Sequence, residues 1–102
     1  MANTFKNYTR TSVGTASDVA YLVASNATAI LVGVNLANTT ASQIKVNVQV
    51  AGAYLIKDAP VPSGSALSAL DGKIVLEGND SVVVSSDTAS SLDVVISVLE
   101  LT

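Results

Sequence analysis

Residues Ala29 to Val50, AILVGVNLANTTASQIKVNVQV, set two alternating apolar runs on either side of a short polar segment. In the first run Ile30, Val32, Val34 and Leu36 share one face. In the second Ile44, Val46, Val48 and Val50 do so, with Lys45, Asn47 and Gln49 opposite. Apolar residues at every second position mark strands, because successive side chains of a strand point to opposite faces. Ala37 to Ser42 is small and polar, and Asn38 can bond the backbone of a turn through its side chain. The pattern predicts a β-hairpin that acts as the scaffold of the domain. Gly33, in the middle of its first strand, marks a bulge or a close backbone contact.

On the N-terminal side of this hairpin, Ser17 to Ser25 carries Val19, Tyr21 and Val23 on one face and Ala20, Leu22 and Ala24 on the other, which predicts a central strand covered on both sides. On the C-terminal side, Ala51 to Ala53 is a bend and Tyr54 to Lys57 a short strand. The segment Asp58 to Ser65, with Pro60 and Pro62, then breaks regular structure, since proline cannot donate to a central ladder. A helical turn is expected over Ala66 to Leu70 and a reverse turn at Asp71-Gly72. Lys73 to Leu76 and Ser81 to Ser86, joined by Glu77 to Asp80, read as a second hairpin. Leu92 to Leu101 closes the chain, with Val94, Ile96 and Val98 inward and Val95, Ser97 and Leu99 on the other face.

Met1 to Ser12 is polar and without a period, yet it holds Phe5 and Tyr8. It reads as an extended N-terminal arm, residues 1–12, ahead of a domain of residues 13–102. Its two aromatics either cap the domain's own core or dock on a neighbouring subunit. Seven or eight short strands separated by frequent turn signals give an all-β fold, a single antiparallel β-sandwich or jelly-roll-like domain. The contact elements expected from this arrangement are the arm, with Phe5, Lys6, Tyr8 and Arg10, and the proline-bearing link, with Pro60 and Pro62.

Composition narrows the function classes. A chain of 102 residues is one domain with a modest core. Charged residues are 13% of it, against about a quarter in an average globular chain, while 49% is hydrophobic, so much of the surface is Ser, Thr, Asn and Ala. Such a surface suits packing against other subunits. A net charge of −3 with only 5 Lys and Arg leaves no basic stripe for a nucleic-acid backbone. The opening MANTFKNYTRTS lacks the apolar core of a signal peptide, and no apolar run approaches the roughly 18 residues of a bilayer span, so a membrane partner is not expected.

The absence of Cys and His removes disulfides, thiolate nucleophiles, imidazole bases and the usual zinc ligands together. Serine and threonine hydroxyls are plentiful, but the bases left to them are Lys6, Lys45, Lys57 and Lys73, none in a Ser-x-x-Lys arrangement. Asp71, Glu77, Asp80 and Asp87 lie in or beside consecutive turns, where carboxylates could gather round a hard cation such as calcium. Their spacing matches no EF-hand loop, and turn aspartates ordinarily bond nearby backbone amides. Neither catalysis nor a cofactor is expected.

The opening MANTFKNYTRTSVGTASDVAYLV, the central ILVGVNLANTTASQIKVNVQV, the link YLIKDAPVPSGSAL and the closing DGKIVLEGNDSVVVSSDTASSLDVVISVLEL resemble, across essentially the whole chain, a family of small virion structural proteins of tailed bacteriophages, notably phages of cyanobacteria. The most specific pieces are KDAPVPSGSAL and KIVLEGNDSVVVSS. The resemblance implies a non-enzymatic virion component, assembled in the host cytoplasm. It implies a capsid decoration or cement protein: a small β-rich homo-oligomer, often a trimer, bound to the major capsid protein or other virion proteins. A neck, tail or fibre-associated subunit is the alternative. A carbohydrate-binding sandwich would need aromatic platforms, for which only Tyr8, Tyr21 and Tyr54 are candidates.

Overall fold

Nine strands follow one another without a helix among the residues that the computed structural model describes, 3–70 and 72–101. They are β1 (Asn3–Val13), β2 (Asp18–Leu22), β3 (Thr28–Asn38), β4 (Ile44–Val50), β5 (Ala53–Val61), β6 (Ala66–Ser68), β7 (Ile74–Leu76), β8 (Ser81–Ser86) and β9 (Leu92–Leu101). A five-stranded sheet runs β1-β9-β3-β6, with β7 also on β3, and a four-stranded sheet runs β2-β8-β4-β5. Every strand pair is antiparallel. The chain passes from one sheet to the other at nearly every turn, which is the two-sheet jelly roll. The ninth strand arises because β6 and β7 occupy successive stretches of the same flank of β3, where seven or eight strands were expected.

This topology corrects the central reading. Ala29 to Val50 is not a hairpin: β3 lies in the five-stranded sheet and β4 in the four-stranded one, so the segment between them is an arch over the end of the core. The second expected hairpin is also an arch, β7 pairing with β3 while β8 pairs with β2 and β4. Alternation has period two in both cases, because an arch presents two strands to one core from opposite sides. The one two-residue hairpin joins β4 to β5 through Ala51 and Gly52, both at positive φ (51° and 85°), as a tight turn matched to strand twist requires.

The core lies between the sheets. β4 turns Ile44, Val46 and Val48 inward, and β9 turns Val94, Ile96 and Val98 inward, as the alternation predicts. In β3 the phase differs. A bulge between Leu31 and Gly33 shifts the register, so that Ala29 and Leu31 are buried on one side of it and Val34 and Leu36 on the other. Ile30 and Val32, expected inward, therefore face outward. β2 has a similar shift between Val19 and Tyr21, and it is an edge strand, not a central one. Val19 and Leu22 are exposed while Tyr21 and Val23 are buried.

Three further expectations need correcting. Ala66 to Ser68 is strand β6, held by pairing with Asn35 to Ala37, where a helical turn was expected. The Tyr54 strand continues through Pro60 to Val61; Pro60 is tolerated because β5 is an edge. The N-terminal segment is extended, but it is paired within its own chain: Asn3 to Arg10 lie in unbroken register along β9, and Val13 rejoins it opposite Leu92.

Polar side chains hold the arches. Asn38 is buried, yet its Nδ2 donates to the carbonyls of Ser42 (2.7 Å) and Val61 (2.9 Å), while its Oδ1 accepts from the amide and hydroxyl of Thr40, both at 2.8 Å. Ser91 Oγ donates to the carbonyl of Thr88 (2.7 Å), so the buried 2.6 Å contact with Ser86 Oγ has Ser86 as donor. At the β7–β8 arch Gly78 lies against the backbone of Ser25, and a Cβ there would run into that carbonyl oxygen. Replacing Asn38 by Ala leaves two carbonyls without their donor inside the β3–β4 arch. The variant is expected to lose about 2 to 3 kcal/mol, read from urea denaturation midpoints at unchanged m-value.

Candidate functional site

The aromatics of the N-terminal segment point to opposite faces of β1. In antiparallel register directly opposed residues share a face. Tyr8 opposes the buried Ile96 and turns inward, whereas Phe5 opposes Leu99 and turns outward. One aromatic therefore belongs to the fold and the other to the surface.

Inside, Tyr8 of β1 meets Tyr21 of β2 with ring centroids 4.7 Å apart and planes inclined by 35°. Both hydroxyls donate to the same oxygen of Glu100, Oε2, at 2.7 Å from Tyr8 and 2.8 Å from Tyr21. Lys6 Nζ stands 4.0 Å from the other oxygen. Glu100 has the inward parity of Val94, Ile96 and Val98 on β9, and these hydroxyls satisfy the carboxylate there. The two hydrogen bonds, from Tyr8 first and Tyr21 next, hold Glu100 below the usual carboxylate range, against the opposing effect of burial. Burial, followed by the bond to Glu100, pushes Tyr21 well above the usual phenol value, and the bond to Glu100 raises Tyr8. The cluster ties β1, β2 and β9 together along the open edge of the sandwich. Arg10 Nε, 3.4 Å from Asp18 Oδ1, adds an exposed ion pair between β1 and β2, a class of contact worth about 0 to 1 kcal/mol.

Outside, the register of the five-stranded sheet aligns one apolar row across four strands. Phe5 opposes Leu99, Leu99 opposes Ile30, and Ile30 opposes Val75. The ends of the row are the most exposed large apolar side chains of the described residues, Phe5 at 76% and Val75 at 64%. The next row is Asn7, Ser97 and Gly33, in which Ser97 Oγ donates to Asn7 Oδ1 at 2.7 Å. Because Gly33 has no side chain, this row sinks into an open depression of about 150 Å³ lined by Phe5, Lys6, Asn7, Val32, Ser97 and Val98. Among the strand residues that face outward here, Asp93 is the one charge, and its Oδ1 is engaged by the amide of Ser12 at 3.0 Å.

The four-stranded sheet presents a different face. Lys45 lies on it, and its bulged edge carries Lys57 and Asp58, 3.9 Å apart, with Lys57 Nζ 4.8 Å from the centre of the Tyr54 ring. Pro60 and Pro62 are exposed on this side. They sit at the β5 edge, whereas β1 is the opposite terminal strand of the other sheet, so the two expected contact elements do not form one surface. Tyr8 and Tyr21 are committed to Glu100, which leaves Tyr54 as the exposed tyrosine.

The turn carboxylates bond backbone. Asp80 Oδ2 accepts the amide of Glu77 at 2.9 Å, and Asp87 Oδ1 accepts the amide of Lys45 at 3.0 Å, which lowers the Asp87 carboxyl. Asp71 lies outside the described residues, as does Ala2 at the start of the N-terminal segment. Among the described residues no three acidic side chains gather into a metal cage. What the surface offers is contact: an apolar-centred face with little charge.

No protein-family model matches the sequence, and a comparison with curated proteins finds no match. Solved structures do share the fold. A chain of the acid-stable capsid structure of Helicobacter pylori bacteriophage KHP30 superposes with a TM-score of 0.65 over 99% of this chain and 89% of its own, at 12% identity. A chain of the Bacillus endospore appendages, a family of disulfide-linked pili, does so with a TM-score of 0.56 over 99% and 87%, at 14% identity.

The inner cluster makes stability pH-dependent at both ends. The folded state holds Glu100 below its unfolded value of about 4.3, so its contribution is complete above that pH and is lost as pH falls through the folded value. Tyr8 and Tyr21 are raised, so theirs is complete below about pH 10 and is lost as pH rises towards the folded values. Tyr21→Phe is expected to cost about 1 to 2 kcal/mol at neutral pH. Glu100→Gln should flatten the acid limb of a plot of urea midpoint against pH, and an acid limb unchanged by that substitution would remove Glu100 from the account.

Proposed function

We propose that this chain is a non-enzymatic structural subunit of a bacteriophage virion, and within the particle a capsid decoration, or cement, protein that binds the outer shell and stabilises it. The observation that carries this reading is the fold likeness, over nearly the full length of both chains, to a chain of a phage capsid structure. The surface agrees with it. A two-sheet sandwich with one outer face almost free of charge is built to cover and be covered, and its polar clusters are spent on the fold.

On this reading the major capsid protein is the principal partner, the protein is assembled in the host cytoplasm into the virion, and it works as a homo-oligomer, a trimer being favoured. The resemblance of the sequence points to a tailed phage of cyanobacteria as its source. The N-terminal strand contributes Phe5 and Lys6 to contacts. Tyr8 holds that strand in place and Arg10 braces it against β2. Pro60 and Pro62, on the far edge, belong to a separate contact.

A neck, tail or fibre-associated subunit is the second reading, favoured by the likeness to a chain of the endospore pili. Copy number separates the two. Quantitative mass spectrometry of purified particles is expected to find hundreds of copies per virion, and particles lacking the protein should release DNA at a lower temperature. A count of a few to some tens, with unchanged heat release, would move the subunit to the neck or tail.

A further inference from the structure

We infer that the outer face of the five-stranded sheet is where copies of this chain meet, the Phe5 ring of one copy seating in the depression beside Phe5 on the next. The inference rests on the chain being an assembling subunit, but not on where in a particle it assembles.

Four observations select a second copy as the occupant. The face carries both halves of one fit. Phe5 projects from it, and beside it lies an open hollow of about 150 Å³, room enough for part of an aromatic ring. Second, the hollow is lined by Phe5, Lys6, Asn7, Val32, Ser97 and Val98, with Val32 as its outward apolar side chain, and Ser97 Oγ already donates to Asn7 Oδ1, so an entering ring meets two polar groups that are bonded to each other.

Third, charge favours this face over the other. The chain carries a net −3, so two copies repel at long range and join at least cost where charge is sparse, as on this face, where Lys6 at the hollow and Asp93 are the charges. Self-packing through the four-stranded sheet would bring Lys45, Lys57 and Asp58 out of water. Fourth, the area is of the order that a weak specific contact needs. Four strands spaced about 4.8 Å apart and the seven residues from Asn3 to Thr9 outline a patch of roughly 19 by 23 Å. Two such patches hide close to ~900 Å² before side-chain relief is counted, near the ~1,000 Å² at which specific interfaces begin.

The row is apolar at both edges of the sheet, Phe5 on β1 and Val75 on β7. A reciprocal exchange of Phe5 gives a pair, and a head-to-tail exchange gives a ring where its rotation closes and a filament where it does not. Both fill the same hollow.

The test is sedimentation velocity of the purified chain across a concentration series, without particles present. The wild type should sediment as a pair, ring or filament, and Phe5→Asp should weaken association by roughly 30-fold or more. Val75→Asp should weaken it as well, and Tyr54→Asp on the other sheet should leave it alone. Far-UV circular dichroism checks that each variant is folded. Since the chain has no cysteine, a mixture of Phe5→Cys and Val32→Cys chains should cross-link between copies under mild oxidation.

A wild type that stays monomeric at high concentration overturns the inference. So does a folded Phe5→Asp that associates normally, or one that associates normally but loses particle binding, since the face would then belong to the shell. A chain that pairs through Phe5 yet binds no particle supports the inference and removes the decoration reading instead.

Discussion

The structure depends on β9 lying between β1 and β3. The last strand of the chain is the second position of the five-stranded sheet, so the N-terminal strand joins its sheet through the C-terminal one. Its inward row, Val94, Ile96 and Val98, is fully buried, and side chains of this kind contribute about 1.5 to 3 kcal/mol each on burial. Because β1 and β9 are separated by nearly the whole chain, no contiguous fragment can complete this sheet. The closure entropy of that pairing comes before any of its contacts, and folding is expected to be slow for a chain of this size.

A fold whose turns cross between sheets must bury polar backbone at each end of the core. Asn38 and the Ser86–Ser91 pair answer that requirement from the side-chain side, each inside an arch and each fully bonded. The Tyr8–Tyr21–Glu100 cluster does the same along the β1 edge, where no arch covers the core. Since the polar groups nearest the core are satisfied internally, the outward face of the five-stranded sheet is left with an apolar row and little charge. Fold and surface thus follow from the same distribution of polar residues.

Much of this was legible in the sequence. Period-two alternation located β3, β4, β8 and β9, and Gly33 marked its bulge. Alternation cannot say whether a short turn keeps the chain in one sheet or carries it to the other, so both expected hairpins proved to be arches. Nor does it foresee the phase change that the bulge imposes on Ile30 and Val32. β1 escaped notice as a sheet strand because most of its residues are exposed on both faces, which leaves no apolar period to detect. Pairing with β3, a tertiary effect, makes β6 a strand despite its helix-tolerant composition. For the candidate site, two aromatics in a polar segment were a sound signal, but only the register separates Tyr8 from Phe5. Glu100 was missed. The clue was its parity, an acidic residue in step with Val94, Ile96 and Val98, which demands a partner inside the sandwich.

The account turns on the N-terminal segment being a wall of the sandwich that presents Phe5 on a fixed face. Amide hydrogen exchange of the dilute, unassembled chain tests this directly. From Asn3 to Arg10 alternate amides point to β9 and to the free edge. Strong protection at every second residue, with fast exchange between, is the predicted result. Uniformly fast exchange through the segment would show a free arm and contradict it.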